Sequence, residues 1–121
     1  MGNCFAAVAA WCKQRIRNPL LLGMALLGVV ALFILGAQPF AVGIVPPPYD
    51  KLAHAVLFGF FFLLLDRALV VPLSLALALP LLISAADELH QMWLPGRDAS
   101  FADWFAGLCG VALAAIWRRP R

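Results

Sequence analysis

Two short stretches hold most of the residues able to do chemistry. One is Asp50-Lys51-Leu52-Ala53-His54. The other is Asp87-Glu88-Leu89-His90-Gln91, continued through Pro95-Gly96-Arg97 to Ser100 and Asp103. An imidazole changes charge near neutral pH and suits proton transfer. A carboxylate can orient it or act as its acid partner, and a guanidinium fits a phosphate or a carboxylate. On helices, Asp50 and His54 are four apart and Lys51 and His54 three apart, so all three share a face. Glu88 and Gln91 are three apart, and Asp87 and Gln91 four. If the stretches meet, His54 and Glu88 are the candidate catalytic residues. Asp50, Lys51, Gln91, Arg97, Ser100 and Asp103 are the candidate binding residues.

Plainer roles compete at every position. Asp50 and Asp103 suit helix caps, and Ser100 is better explained as a cap than as a nucleophile. His54 can tie two helices together. Asp87 and Glu88 can lie solvated beyond a helix end, the more so for Asp87. Arg97 can staple a loop by pairing with a nearby carboxylate, Lys51 can snorkel, and His90 reads as interfacial. There is no nucleophile elbow, phosphate loop or paired-histidine zinc motif. His54 with Glu88 and Asp103 is not a distinctive ligand set, so no metal and no cofactor are expected.

The elements that must position these groups are membrane helices. Of 121 residues, 64% are hydrophobic and 12% charged. A soluble domain is nearer half apolar and a quarter charged, and a chain this small could not hide the excess from water. Asn18-Pro19 opens a helix as cap and first-turn proline, and Leu20 to Ala37 then carries no charge. Pro46, Pro47 and Pro48 mark an external loop, after which Asp50 is placed to cap the next helix. Leu52 to Ala86 is too long for one span and fits two, with a hairpin near Asp66 to Pro72. Pro80 should kink the third helix or be absorbed by its neighbours. Pro95-Gly96 is a turn, and Ser100 to Asp103 fits a capping box opening a fourth helix that runs to about Trp117. In that helix Ala102, Ala106, Gly110 and Ala114 recur every four residues, a stripe permitting close helix approach.

The expected fold is therefore all-α: an integral membrane four-helix bundle with both termini cytoplasmic. Residues 1–18 form a basic interfacial segment, 19–117 the transmembrane domain and 118–121 a basic tail. The orientation follows from charge. With the N-terminus inside, the inner set is Lys13, Arg15, Arg17, Asp66, Arg67, Arg118, Arg119 and Arg121, seven positive and one negative. The outer set is Asp50, Lys51, Asp87, Glu88, Arg97, Asp98 and Asp103, two positive and five negative. Inner loops favour Lys and Arg. The net charge of +3 sits at the flanks, so no nucleic-acid partner is expected. Cys4, Cys12 and Cys109 lack metal or redox spacing and read as free thiols. Met1-Gly2-Asn3-Cys4 departs from an acylation signal at Ala6, and the first apolar run reads as an uncleaved anchor.

Asp50-Lys51-x-x-His54, then Asp87-Glu88-x-x-Gln91-x-x-x-Pro95-Gly96-Arg97-x-x-Ser100-x-x-Asp103, then Gly110, resembles the VanZ-like family. The resemblance covers roughly Asp50 to Gly110, and the first span fits as well. One position departs: the family's Asn, four residues after the aspartate, is Gly107 here. The resemblance implies a multi-pass protein of the bacterial cytoplasmic membrane. The family's founding member is associated with low-level resistance to the glycopeptide teicoplanin, and the family name brings no reaction with it.

Three functions remain open. In a binding or resistance protein, the outer cluster recognises a lipid headgroup, a lipid-linked cell-wall precursor or a glycopeptide. Arg97 would meet phosphate or carboxylate, while Glu88, Gln91 and His54 would bond the polar part. In an intramembrane enzyme on the same lipids, His54 would move a proton, Glu88 would orient it and Arg97 would stabilise phosphoryl charge. In a structural or assembly protein, the cluster locks the helices together.

Overall fold

Asn18 does what its position suggests. Its side-chain oxygen accepts the Leu21 N–H at 3.1 Å, and Pro19 occupies the first turn where no donor is needed. The computed structural model describes residues 2–118; Arg119 and Arg121 of the expected basic tail lie outside the described residues. The described helices are α1 (Gly2–Arg15), α2 (Pro19–Gly36), α3 (Tyr49–Ala68), α4 (Leu73–Gln91) and α5 (Phe101–Trp117), with a short 3-10 turn at Pro39–Ala41. No strand forms among the described residues; a single bridge links Ile16 and Leu69.

Among the described residues, α2 and α4 are long and apolar enough to cross a membrane. α5 is apolar but has 17 residues, and α3 carries Asp50 and Lys51 at one end and Asp66 and Arg67 at the other. α1 buries none of its residues; Arg15 lies over the Trp11 ring, 5.4 Å from its centre.

α3 is the central helix, packed against α5, α4 and α2. Phe58, Phe61, Phe62, Ala76 and Val111 are buried between them. In lipid, apolar burial between helices gains little, so close van der Waals packing must supply the association. The closest approach is α3 to α5. A Cβ on Gly110 would collide with the Ala55 carbonyl, and one on Gly59 would stand 2.9 Å from the Gly110 carbonyl oxygen. The stripe that meets α3 is thus not the expected one. Asp103, Gly107, Gly110 and Val111 are buried, with Ala114 beside them, while Ala102 is exposed. Four-residue spacing drifts around a helix of 3.6 residues per turn, and the buried line follows mixed four- and three-residue steps.

The other correction lies at the expected hairpin. α3 continues through Asp66 and Arg67 to Ala68, leaving only residues 69–72 for the turn. Asp66 is 1% exposed and accepts a 2.8 Å bond from Arg118 Nη1, past the end of α5. The α1–α2 link folds onto the same turn: the Arg17 and Asn18 N–H groups both donate to the Ala68 carbonyl, and Val70 N–H donates to the Arg15 carbonyl. One end of the molecule therefore gathers Arg15, Arg17, Arg67 and Arg118. At the other end lie the starts of α3 and α5, the end of α4, and two loops with Gly43 and Gly96 at positive φ.

Candidate functional site

The two polar stretches do meet. The start of α3 supplies Asp50, Lys51 and His54, the last turns of α4 supply Asp87, Glu88 and Gln91, and the start of α5 supplies Ser100 and Asp103. Between them is a cavity of about 230 Å³ walled by Asp50, His54, Gln91, Arg97, Asp98 and Asp103.

His54 is the hub. Its Nδ1 lies 2.9 Å from the Asp50 carbonyl, which can only accept, so Nδ1 carries a proton. Nε2 then faces Glu88 Oε1 at 3.1 Å and Asp87 Oδ2 at 3.8 Å. Phe58 closes one side of the ring at 5.9 Å between centres. His54 is thus not merely a tie between backbones; its free nitrogen points at two carboxylates.

Both carboxylates are buried, Asp87 5% and Glu88 8% exposed. The expectation that they lie solvated beyond the helix end fails: α4 runs on to Gln91, His54 of α3 stands against both, and the Ser100 amide stands against Glu88. Gln91 Nε2 donates to Asp87 Oδ2 at 3.1 Å, along the four-residue helical spacing. The backbone N–H of Ser100 donates to Glu88 Oε2 at 2.8 Å. Glu88 Oε1 is fully shielded and has no aligned hydrogen bond despite the nearby imidazole. Asp87 was left out of the candidate residues, yet it stands at the centre of the cluster. The signal that could have placed it there was its four-residue spacing to Gln91.

Lys51 bridges two elements: its Nζ lies 3.2 Å from Asp103 Oδ1 on α5 and 3.4 Å from Asp50 Oδ2. It does not snorkel away from the site. Neither aspartate is a cap. Pro48 precedes the first turn of α3, and Asp50 accepts the N–H of Lys51 at 2.8 Å. Ser100 caps α5 by accepting the Asp103 N–H at 3.3 Å. Only half of the capping box forms, since the Ser100 N–H is given to Glu88 instead. Both aspartates still gain from the positive ends of their helices.

Arg97 is a staple, but to a carbonyl and not to a carboxylate: its Nη1 donates to Ala41 at 3.1 Å, tying the α4–α5 loop to the α2–α3 loop. Its guanidinium keeps further donors toward the cavity it lines. His90 faces away and packs on Phe33 at 5.3 Å. Gly107, at the departing position, is buried: a Cβ there would lie 3.0 Å from Ser84 Oγ and 3.2 Å from Phe58. That hydroxyl is fully buried and has no hydrogen-bond partner.

A second, apolar groove of about 500 Å³ shares no lining residue with the polar cavity. Ala85, Leu89, Met92, Phe101 and Trp104 line it, and Glu88 and Ser100 stand where it meets the polar cluster. Trp104 is fixed there by its indole N–H, which donates to the Leu81 carbonyl at 3.3 Å.

A family model described as VanZ/LLP1 matches residues 5–118, and the chain belongs to this membrane-associated family. The likeness drawn from Asp50 to Gly110 thus extends over nearly the whole chain. No curated protein and no solved structure matches it.

Proposed function

We propose that this VanZ/LLP1 protein is a multi-pass protein of the bacterial cytoplasmic membrane that binds the polar head of an amphiphile at its outer face. Helices α2 to α5 would cross the bilayer as a four-helix bundle with both termini inside. The charge supports that orientation: Arg15, Arg17, Arg67 and Arg118 gather at one end with the single acid Asp66.

The observation that carries the reading is the junction at Glu88. Glu88 lines the apolar groove, and its carboxylate stands 3.1 Å from His54, which lines the polar cavity. A headgroup can sit against His54, Gln91 and Arg97 while an acyl chain follows Leu89, Met92 and Trp104. Lipid headgroups, lipid-linked cell-wall precursors and acylated glycopeptides such as teicoplanin all have that shape. Protection against teicoplanin would follow if binding at this site kept the drug or its target apart.

The His54–Glu88 contact at 3.1 Å favours a second reading, an intramembrane enzyme on the same lipids, with His54 moving a proton and Glu88 orienting it. Its nucleophile would be a water or a group of the substrate, since Ser100 is engaged as a cap.

The test is susceptibility to teicoplanin in a strain lacking the protein, complemented with wild type, His54→Ala, Glu88→Gln or Arg97→Ala, with membrane levels measured. The binding reading expects variants present at normal levels that fail to protect. An enzyme expects Glu88→Gln to abolish lipid turnover while binding survives. Variants that protect as well as wild type would remove the site from either role, and lower membrane abundance alone would assign the cluster to assembly.

A further inference from the structure

We infer that His54, Asp87 and Glu88 form a binding site for one divalent transition-metal ion. The three residues offer ligand atoms that all lie within 4.8 Å of one another. In a tetrahedral zinc site with bonds of about 2.0–2.1 Å, ligand atoms stand roughly 3.3 Å apart. His54 Nε2 to Glu88 Oε1 is 3.1 Å and to Asp87 Oδ2 is 3.8 Å, so closing on an ion needs only small side-chain shifts.

Charge gives an independent reason. Asp87 and Glu88 are almost completely buried. Lys51 is committed to Asp50 and Asp103, and the Arg97 bond goes to a carbonyl. The imidazole is the close partner of both carboxylates, and both lie near the negative end of α4, which disfavours anions. Even a charged imidazole leaves one negative charge over in a shielded site, where unpaired charge is costly. A divalent ion with a neutral imidazole and two carboxylates has no net charge. Glu88 Oε1, shielded and with the His54 imidazole 3.1 Å away, is the acceptor that such an ion would share with that ring.

The surrounding bonds are those a ligand set requires. A metal-binding histidine gives its other N–H to a carbonyl or carboxylate, and its carboxylate partners are themselves hydrogen-bonded. Here Nδ1 bonds the Asp50 carbonyl, Ser100 N–H holds Glu88 Oε2, and Gln91 holds Asp87. Each ligand is oriented by its outer bond. An imidazole in the set favours zinc over calcium or magnesium, which prefer oxygen alone. Three protein ligands leave a coordination position open, and of the three His54 lines the polar cavity and Glu88 the apolar groove. The ion site stands without the headgroup reading. Where that reading holds, the ion would give this acidic pocket its attraction for an anionic head.

The experiment uses the full chain purified in detergent, stripped with chelator and dialysed, then titrated calorimetrically with Zn²⁺ or Mn²⁺ alone. One equivalent should bind to wild type. Glu88→Gln, Asp87→Asn and His54→Gln should each weaken it by about 100-fold or more, while Gly23→Ala, whose added Cβ meets nothing within 4 Å, keeps it. X-ray absorption on the wild-type zinc complex should show one imidazole nitrogen among oxygen ligands, which guards against variants that fold poorly. Absence of saturable binding by folded wild type, binding unchanged in all three variants, or a spectrum without imidazole would each overturn the site. Because the probe is the metal alone, these outcomes are separate from failure of headgroup binding.

Discussion

Gly110→Ala should separate the two helices that carry the site. Any Cβ at this position would collide with the Ala55 carbonyl and stand only 2.6 Å from the Ala55 Cα. The obstacle is helix backbone, which cannot rotate aside as a side chain can. To restore ordinary contact, α5 must move from α3 by roughly an ångström, because packed interiors leave no slack. A gap of that size forfeits a quarter to a half of the dispersion energy of the atoms that lose contact. Overpacking typically costs about 1–3 kcal/mol, and a backbone obstacle puts this variant near the top of that range. At roughly 4 °C or more per kcal/mol, the unfolding midpoint in detergent should fall by about 10 °C. Gly23→Ala is the control: nothing lies within 4 Å of its added Cβ, so its melt should stay near wild type or rise slightly. The same displacement should loosen the 3.2 Å Lys51–Asp103 pair, whose partners sit one on each helix. If Gly110→Ala melts with the Gly23→Ala control, α3 and α5 do not cross at Gly110 and the packing argument is wrong.

Two further variants test the ends of the bundle. Arg118→Gln should lower stability by about 2 kcal/mol, because it removes a 2.8 Å charge-assisted hydrogen bond from a carboxylate that is 1% exposed. Adding Asp66→Asn should recover part of the loss in denaturant unfolding, and equal losses in the single and double variants would refute the coupling. Ser100→Ala should cost about 1 kcal/mol through the lost cap of α5 while sparing the backbone N–H held by Glu88. Amide exchange should then quicken at residues 101–103, and unchanged protection there would show that the cap contributes nothing.

Much of this was legible before any coordinates. The start of α2 was written in Asn18-Pro19, and the start of α5 in Ser100. The convergence of His54 and Glu88 followed from two stretches that had to emerge at the same end. What could not be read was register across helices. Periodicity says that α5 has a small-residue face, but the partner chooses it: Gly110 fits because Ala55 and Gly59 stand opposite. Charges near a helix end also mislead. Asp66 read as loop and Asp87 as solvated, since a charge beside an apolar run usually marks its exit into water. Both are buried because of remote residues: Arg118 lies 52 positions from Asp66, and His54, 3.8 Å from Asp87, belongs to α3. Asp50 read as a cap, but Pro48 had already begun the turn.

The contrast between the two ends argues that the cluster around His54 is for use. At the basic end, the buried carboxylate of Asp66 meets a guanidinium at 2.8 Å, an arrangement that suits a structural lock. A lock at the other end could have been built the same way, with Arg97 turned onto Glu88 or Asp87. Instead the Arg97 hydrogen bond goes to a carbonyl, Lys51 pairs with Asp50 and Asp103, and the imidazole is the close partner of the two most central carboxylates. Groups held only for stability would be expected to balance, because an unbalanced buried charge is costly. Here the imbalance borders a cavity and adjoins an apolar groove. Stability given up beside an opening is what a site for a charged ligand requires, since the arriving charge then restores the balance that the bare protein lacks.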